Sequence, residues 1–172
     1  MDKNFMRSYI EKFEIVEFEP RYAEAFKELL VVLQAHIASL DSEAVIVLKS
    51  NYKEDYYIYI QNEIIKHDGK IFLALCNSEV VGTVVCKIFQ GGDEENITTS
   101  CPKIGFISDL VVAKNYRGHG VAAKLLQCAE DYFKYKQCKY MRLEVFEPNI
   151  LAQSLYYDYG FTTLSRYLSK KL

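Results

Sequence analysis

Hydrophobic positions along the N-terminal part of the chain predict one short strand followed by two helices. Residues 14–19 alternate between polar and apolar side chains, and Pro20 then favours the first turn of a helix. Apolar residues recur every three or four positions as far as Leu40, which is typical of an amphipathic helix. A second helical pattern covers residues 54–67 and ends at Asp68-Gly69, a helix-stop sequence. Its inner face is predicted to carry Tyr57, Ile60, Ile64 and Ile65.

The rest of the chain alternates between strand and helix patterns. Residues 70–76 and 80–89 are rich in strand-forming side chains and predict a hairpin. The polar segment 91–100 predicts an exposed loop before a fourth strand at 103–112. The order is completed by a helix at 121–136, a fifth strand at 140–146, a short helix at 150–159 and a last strand at 161–168. This order predicts a mixed sheet whose first strands are antiparallel and whose later strands can run parallel.

Composition narrows the class of protein. The length of 172 residues predicts a single domain, 1–172, and 50% hydrophobic with 26% charged residues is typical of ordinary globular proteins. The formal net charge of −2 argues against non-specific nucleic-acid binding, because no positive field is available to hold a polyanion. No apolar run is long enough to span a membrane, and residues 1–11 lack the apolar core of a secretory signal. We therefore expect neither nucleic acid nor a membrane as a partner.

Cysteine and histidine positions bear on location and on metal binding. The 5 cysteines form no C-x-x-C pair and would leave one unpaired, which predicts a reduced, cytoplasmic protein. His36, His67 and His119 are scattered along the chain and predict no metal site. The sequence does not decide the oligomeric state, and both a monomer and a homodimer are possible.

The segment that carries the clearest chemistry is a glycine-containing turn between the fourth strand and the helix at 121–136. We call residues 117–122 the glycine turn. The first amides of a helix have no intrahelical acceptor and lie at the positive end of its dipole. Gly118 and Gly120 lack the Cβ that would keep an anion away from these amides, and Arg117 adds a positive charge. The turn is therefore predicted to bind a phosphate group.

Three interpretations of this turn are possible from the residues alone. Gly118-His119-Gly120-Val121-Ala122-Ala123 matches the dinucleotide pattern G-x-G-x-x-G/A, which would indicate an NAD site. In that fold the first glycine follows its strand almost at once, whereas here residues 113–117 intervene and the upstream strands form a meander. A coenzyme with another diphosphate is the second interpretation, and a helix start without any ligand is the third.

Two separated motifs resemble the GNAT superfamily of acetyl-CoA-dependent N-acetyltransferases. The first is R/Q-x-x-G-x-G/A, matched by Arg117, Gly120 and Ala122 after the strand ending Leu110-Val111-Val112. The second is N-x-x-A-x-x-L-Y-x-x-x-G-F, matched by Asn149, Ala152, Leu155, Tyr156, Gly160 and Phe161. Together they cover the C-terminal two thirds of the chain in the right order. The resemblance implies an α/β fold of the α+β type, with a mixed, mostly antiparallel sheet of six to seven strands, about four helices, and a splay between strands 4 and 5.

The resemblance also implies where acetyl-CoA would bind. The pyrophosphate would lie on the backbone amides of the glycine turn, formed by Arg117, Gly118, His119, Gly120, Val121 and Ala122. The backbone of Leu110, Val111 and Val112 would bind the pantetheine arm like an added strand. Asn149 would bind the same arm from the other side, where Ala152 leaves room for it.

Amine acetylation requires a base and an acid, because alkyl amines are mostly protonated at neutral pH and the leaving thiolate needs a proton. The resemblance favours Glu144 as the base, with Asp109 as the second candidate, although either carboxylate could simply be a structural one. It places Tyr156 as the acid, and an amide of Val111 or Val112 could hold the oxyanion. No base is evident beside a cysteine, so direct transfer in a ternary complex is expected rather than a cysteine intermediate.

The acceptor is predicted from charge and aromatic content. Residues 40–59 contain four carboxylates and four tyrosines, and Asp93, Glu94 and Glu95 lie in the polar loop. Carboxylates and aromatic faces suit a cationic amine. We expect a primary amine on a small polyamine-like or aminoglycoside-like molecule, or a peptide N-terminus. A member of the fold that binds acetyl-CoA as a sensor, without catalysis, is the alternative.

Overall fold

The computed structural model describes residues 13–90 and 102–171, in which five strands and four α-helices are present. The strands are β1 Phe13–Glu17, β2 Lys70–Cys76, β3 Glu79–Phe89, β4 Ile104–Val112 and β5 Tyr140–Leu143. The helices are α1 Ala23–Leu40, α2 Tyr52–Lys66, α3 Val121–Tyr135 and α4 Ile150–Tyr159. Single 3-10 turns precede α1 and α3, at Pro20–Tyr22 and Lys114–Tyr116. The predictions for residues 1–11 and for the loop at 91–100, with its three acidic residues, lie outside the described residues.

The strands form one mixed sheet in the order β1-β2-β3-β4-β5. The first four pair antiparallel and β5 pairs parallel to β4, as the element order predicts. Asn77 and Ser78 join β2 to β3 with φ values of 49° and 69°, the left-handed pair of a tight hairpin turn. The predicted mixed α/β fold with about four helices is confirmed.

Helices cover both faces of the sheet and divide the core in two. On one face α3 packs Val121, Leu125 and Ala129 against β2, β3 and β4. On the other face α1 and α2 bury Phe26 and Ile60 over the middle strands. The inner face of α2 was predicted correctly for Tyr57, Ile60 and Ile64, but Ile65 is 82% exposed.

The far end of α3 rests on a glycine of the sheet. A Cβ at Gly105, in β4, would lie 2.2 Å from Cγ of Phe133, so only a glycine lets this ring approach the strand so closely. The next turn is held by Lys136, which donates to Asp68 Oδ2 at 2.7 Å. The position of α3 over the sheet is therefore fixed at its C-terminal end.

The predicted sheet of six to seven strands is wrong for the described residues, because 161–168 is not a strand. Its aromatic and β-branched residues suggested one, but Phe161, Leu164 and Tyr167 recur at intervals of three rather than alternating. Phe161 packs on Tyr156 and Tyr159, whereas Leu164 and Tyr167 are exposed. The fifth strand also ends at Leu143 instead of residue 146, so β5 offers only a short edge to any further strand.

A gap opens between β4 and β5. Parallel pairing ends at Ile107 and Leu143, whereas β4 continues to Val112. Ser108 is the extra residue of a β-bulge, because Ile107 faces Cys86 and Asp109 faces Val85 on β3. We call the space beside residues 108–112 the β4–β5 gap. It lies directly before the glycine turn.

Two sequence-based predictions concern cysteine pairing and membrane-spanning helices. Cys76, Cys86, Cys128 and Cys138 are free, and Cys101 lies outside the described residues. Within 13–90 and 102–171, no helix combines the length and the hydropathy needed to cross a bilayer.

Candidate active site

The glycine turn has the geometry of an anion site. Gly118 and Gly120 have φ values of 77° and 78°, in the left-handed region that favours glycine. A Cβ on either residue would meet no atom within 4 Å, so the space above them is open. Gly120 is the N-cap of α3 and supplies no side-chain cap, which leaves the first amides of the helix available to a ligand. Val121 is buried and anchors this end of the helix in the core.

Arg117 and His119 are both exposed and tie the turn to the end of β4. Arg117 Nε donates to the Val112 carbonyl at 3.0 Å. His119 Nδ1 lies 2.9 Å from the Arg117 carbonyl, a local contact that closes the turn. The turn is thus a defined loop whose amides are not consumed by its own side chains.

Alternation of hydrogen bonds assigns the backbone groups at the end of β4. The Ala113 amide donates to the Val81 carbonyl of β3 at 2.8 Å. Because amide directions alternate along a strand, the Val111 amide also faces β3. The backbone groups of Leu110 and Val112 face the opposite side, which is the β4–β5 gap. An extended ligand in the gap could therefore bond to these two residues.

Helix α4 borders the same region and carries the second motif. Asn149 is its N-cap, and its side-chain oxygen accepts from the Ala152 amide at 3.4 Å. This capping use of Asn149 was not part of the sequence-based expectation. Tyr156 is half-buried, and its ring lies 5.8 Å from that of Phe161. Burial raises the pKa of Tyr156 to about 12, so its hydroxyl stays protonated at neutral pH and can donate.

The two candidate bases flank the mouth of the gap in different environments. Glu144 directly follows the last residue of β5 and is exposed. Asp109 lies on β4 just past the bulge and is 5% exposed. It accepts hydrogen bonds from the Tyr56 hydroxyl at 2.8 Å and from Ser108 at 2.7 Å. Burial raises the pKa of Asp109 above its ordinary value, although both hydrogen bonds act in the opposite direction.

Three tyrosines of α2 form an aromatic wall above Asp109. Tyr52, Tyr56 and Tyr59 occupy one helix face, and their rings are stacked with centroid separations of 5.0 Å and 5.7 Å. We call these three residues the tyrosine ladder. They line an open cavity of about 320 Å³ whose other walls include Val47, Lys49 and Asp55. The cavity lies on the α1–α2 face of the sheet, opposite to α3.

A buried ion pair continues the polar row beneath the ladder. Lys87 of β3 is 6% exposed and donates to Glu63 at 3.1 Å. Its ammonium lies 5.1 Å from the centre of the Tyr59 ring. Lys87 is also among the groups that lower the pKa of Asp109. The carboxylate of Asp109 thus lies near a fixed positive charge, that of Lys87 on the neighbouring strand β3.

Sequence reasoning missed Tyr56, Lys87 and Glu63. The spacing of Tyr52, Tyr56 and Tyr59 by four and three positions is a signal for one helix face, but nothing in the sequence links that face to Asp109. Lys87 lies within an apolar strand pattern, where a lone charged residue indicates a buried partner. Among residues 13–90 and 102–171, no group of three or more metal-ligating side chains is present.

Comparisons with known proteins bear on the whole arrangement. The sequence profile of the Acetyltransferase (GNAT) family matches residues 33–161. Among curated relatives, N-alpha-acetyltransferase 30 of Schizosaccharomyces pombe is 28% identical over 121 residues, which cover 70% of this chain and 76% of that protein.

Solved structures share the fold. A mutant of the BH1408 protein from Bacillus halodurans has a TM-score of 0.80 at 19% identity, and the match covers 92% of this chain and 99% of that one. Aminoglycoside N-acetyltransferase AAC(6')-Iy in complex with CoA has a TM-score of 0.69 at 17% identity, covering 93% and 94%. At these identities the two structures establish the architecture.

Proposed function

Because the chain belongs to the acetyltransferase (GNAT) family, we propose that residues 1–172 form one domain that transfers the acetyl group of acetyl-CoA directly to a primary amine in a ternary complex. The observation that carries this proposal is the glycine turn at the end of the β4–β5 gap. The turn offers uncapped helix amides to a diphosphate, and the gap offers unpaired strand backbone to the arm attached to it.

The residues present fit acetyl-CoA. The pyrophosphate would lie on the amides from Gly118 to Ala122, beside Arg117 and above Gly118 and Gly120, where no Cβ intrudes. The Arg117 amide itself donates to the Lys114 carbonyl at 3.4 Å. The backbone of Leu110 and Val112 would hold the pantetheine arm from one side of the gap, with the strand-end residue Val111 bonded to β3 between them. Asn149 and Ala152 would border it from α4. When bound, acetyl-CoA supplies the thioester carbonyl that the amine attacks.

The protein groups around the gap would move the protons. Asp109 and Glu144 lie just past the last paired residues of β4 and β5, so both carboxylates lie beside the gap. Either could take the proton of the acceptor ammonium. Tyr156 would donate to the departing sulfur, since its raised pKa keeps the hydroxyl protonated. The Val112 amide, which faces the gap, would be available to the oxyanion.

The cavity beside the tyrosine ladder is the proposed acceptor site. Its aromatic faces and the carboxylate of Asp55 suit a positively charged amine. A peptide N-terminus and a small polyamine or aminoglycoside are the two acceptor classes we propose. The names of N-alpha-acetyltransferase 30 and of aminoglycoside N-acetyltransferase AAC(6')-Iy support one class each.

The test measures release of free CoA with a thiol reagent. The protein is incubated with acetyl-CoA and, in turn, spermidine, kanamycin and a peptide with a free N-terminus. Release above the rate without amine is expected for at least one of them. No release with any amine, together with tight acetyl-CoA binding by calorimetry, would instead indicate a sensor. Absence of acetyl-CoA binding would overturn the proposal.

A matched pair of variants tests the acid. Tyr156→Phe is expected to lower kcat about 100-fold, the lower end of the usual contribution of general acid–base catalysis, with acetyl-CoA affinity unchanged. Tyr157→Phe is the control, because this neighbouring tyrosine is 52% exposed and its hydroxyl contacts Thr163. Equal activity of the two variants would remove Tyr156 from the mechanism.

A further inference from the structure

Tyr56 lies between the acceptor cavity and the buried carboxylate of Asp109. It lines the cavity, and its hydroxyl donates to Asp109 Oδ1 at 2.8 Å. Asp109 itself is not among the cavity-lining residues and is 5% exposed. A molecule in the cavity would therefore hydrogen-bond to the Tyr56 oxygen, which still has lone pairs to accept, and Tyr56 in turn hydrogen-bonds to Asp109.

We propose that Tyr56 is a catalytic residue that relays a proton from the acceptor ammonium to Asp109. This inference rests on the proposed acetyl transfer and assigns its first step. The ammonium of the acceptor, R–NH₃⁺, would donate to the Tyr56 oxygen while the Tyr56 hydroxyl proton moves to Asp109. The step yields a neutral amine, an intact phenol and a neutral carboxylic acid, so protons and charge balance.

The remaining steps follow from that neutral amine. Its lone pair forms the C–N bond at the thioester carbonyl, and the C–S bond then breaks. Tyr156 gives its proton to the sulfur and regains one from the nitrogen, which leaves an amide and CoA as the thiol. Asp109 returns its proton to solvent through Tyr56 after the products leave.

The surroundings of Asp109 suit a proton acceptor. The groups that face it are Tyr56 and Tyr52 from α2, Ser108 beside it on β4 and Lys87 from β3. Burial raises the pKa of Asp109, which makes it a stronger base than an exposed carboxylate. Lys87, fixed by Glu63, opposes that rise and favours the ionised form that must accept the proton.

The surroundings of Tyr56 require that the two proton movements be coupled. Burial and the neighbouring Asp109 charge raise the pKa of Tyr56 far above its ordinary value. A free tyrosinate is therefore excluded at neutral pH, and the hydroxyl can release its proton only as it receives another. Stacking between Tyr52 and Tyr59 holds the ring in place for this exchange.

Tyr56→Phe is the direct test, because it keeps the stacked ring and removes only the hydroxyl. The probe is whichever of spermidine, kanamycin or the free peptide the wild-type protein acetylates. We expect kcat/KM at pH 7 to fall about 100-fold, with acetyl-CoA affinity unchanged. Without the relay, the variant can use only the fraction of the amine that is already neutral. Its kcat/KM should therefore rise roughly tenfold per pH unit below the amine pKa. The wild-type profile should be flatter.

Tyr57→Phe is the matched control on the same helix. Its ring packs with Phe26 in the core beneath α1 and α2 and does not line the cavity, so its pH profile should follow that of the wild type. A parallel loss for Tyr56→Phe at every pH would show a merely structural role and overturn the relay. Equal activity of Tyr56→Phe and wild type would overturn it as well.

A second variant keeps the proposal testable if Tyr56→Phe does not fold. Asp109→Asn leaves Tyr56 in place and removes the proton acceptor, so it should show the same steep pH dependence. In a folded double variant the two losses should be less than additive, because both groups serve one path. Failure of the wild-type protein to release CoA would instead count against the proposed function, which separates the two proposals.

Discussion

The two faces of the β4–β5 gap are built in different ways. On the α3 face the proposed coenzyme site consists mostly of backbone: two glycines, the first amides of a helix and the edge of β4 that β5 leaves unpaired. On the α2 face the proposed acceptor site consists of side chains from α2 and the segment before it, with Asp109 of β4 and Lys87 of β3 behind them. In this proposal the conformation of the main chain holds acetyl-CoA, whereas the acceptor is selected by side chains that can change without altering the fold.

Removal of the buried carboxylate should affect the acceptor side of the gap and leave the coenzyme side intact. Asp109→Asn keeps the shape of the side chain, so acetyl-CoA binding should be unchanged while kcat/KM falls about 1000-fold, within the usual range for a lost general base. Glu144→Gln, on the other side of the gap mouth, should change kcat/KM by less than about threefold, since an exposed carboxylate can be replaced by water. Steady-state CoA release measures both.

The opposite order of effects would assign the base to Glu144. The acceptor side would then depend on the loop after β5 rather than on the buried row beneath α2. A loss of acetyl-CoA affinity in Asp109→Asn would show that the two faces of the gap are not independent.

The second largest effect is expected on the backbone-built side. Gly120→Ala places a Cβ where the phosphate would lie and strains a residue with φ of 78°. We expect acetyl-CoA affinity to fall at least about tenfold and stability to fall by roughly 1 kcal/mol, the typical cost of the left-handed conformation. Calorimetric titration and thermal unfolding measure the two effects.

Gly160→Ala separates strain from ligand contact. Gly160 has φ of 106° at the C-terminal end of α4, and a Cβ there would also meet nothing within 4 Å. This variant should lose a similar amount of stability and keep its acetyl-CoA affinity. An equal loss of affinity in both variants would mean that the glycine turn acts only through stability.

The smallest effect concerns the cost of keeping Asp109 in the core. Its pKa is raised above the ordinary value of 3.8, so it favours folding only in the protonated form. That contribution is complete below the ordinary value and is lost as pH rises through the raised pKa. At pH 7 Asp109→Asn should therefore have a higher free energy of unfolding than the wild type, because the amide carries no charge that burial penalises.

The gain should shrink as the pH is lowered towards 4. Asp158→Asn is the control, because this residue is exposed on α4 and should not change the unfolding midpoint. Denaturant unfolding at several pH values measures both. A destabilised Asp109→Asn at pH 7 would show that its hydrogen bonds from Tyr56 and Ser108 outweigh burial.

The contrast between the faces also explains what the sequence could predict. Hairpin β2–β3, helix α3 and helix α4 follow from local spacing, and the bounds of β2 and α4 agree with the prediction to the residue. The glycine turn could be predicted from its local sequence, because it depends on the backbone conformation of a few consecutive residues. The pair of Tyr56 and Asp109 could not, since the two residues are 53 positions apart and meet only through packing of α2 on the sheet.

One prediction failed and one ion pair was missed for related reasons. The segment 161–168 has strand-forming residues, but a strand needs an edge to pair with, and β5 offers only four residues. The lone charge of Lys87 in an apolar strand indicates a buried partner, but its position does not identify Glu63, which is 24 positions away on α2. Tertiary contacts decide both cases.

The glycine beneath Phe133 has a consequence for the coenzyme site at the other end of α3. Twelve residues separate Val121 from Phe133, so a helical rise of about 1.5 Å per residue places the two ends roughly 18 Å apart. Gly105 leaves the space that Phe133, at the far end of this helix, occupies against β4. A methyl group at position 105 would displace Phe133, and a rigid helix would carry part of that displacement to the amides proposed to bind the diphosphate.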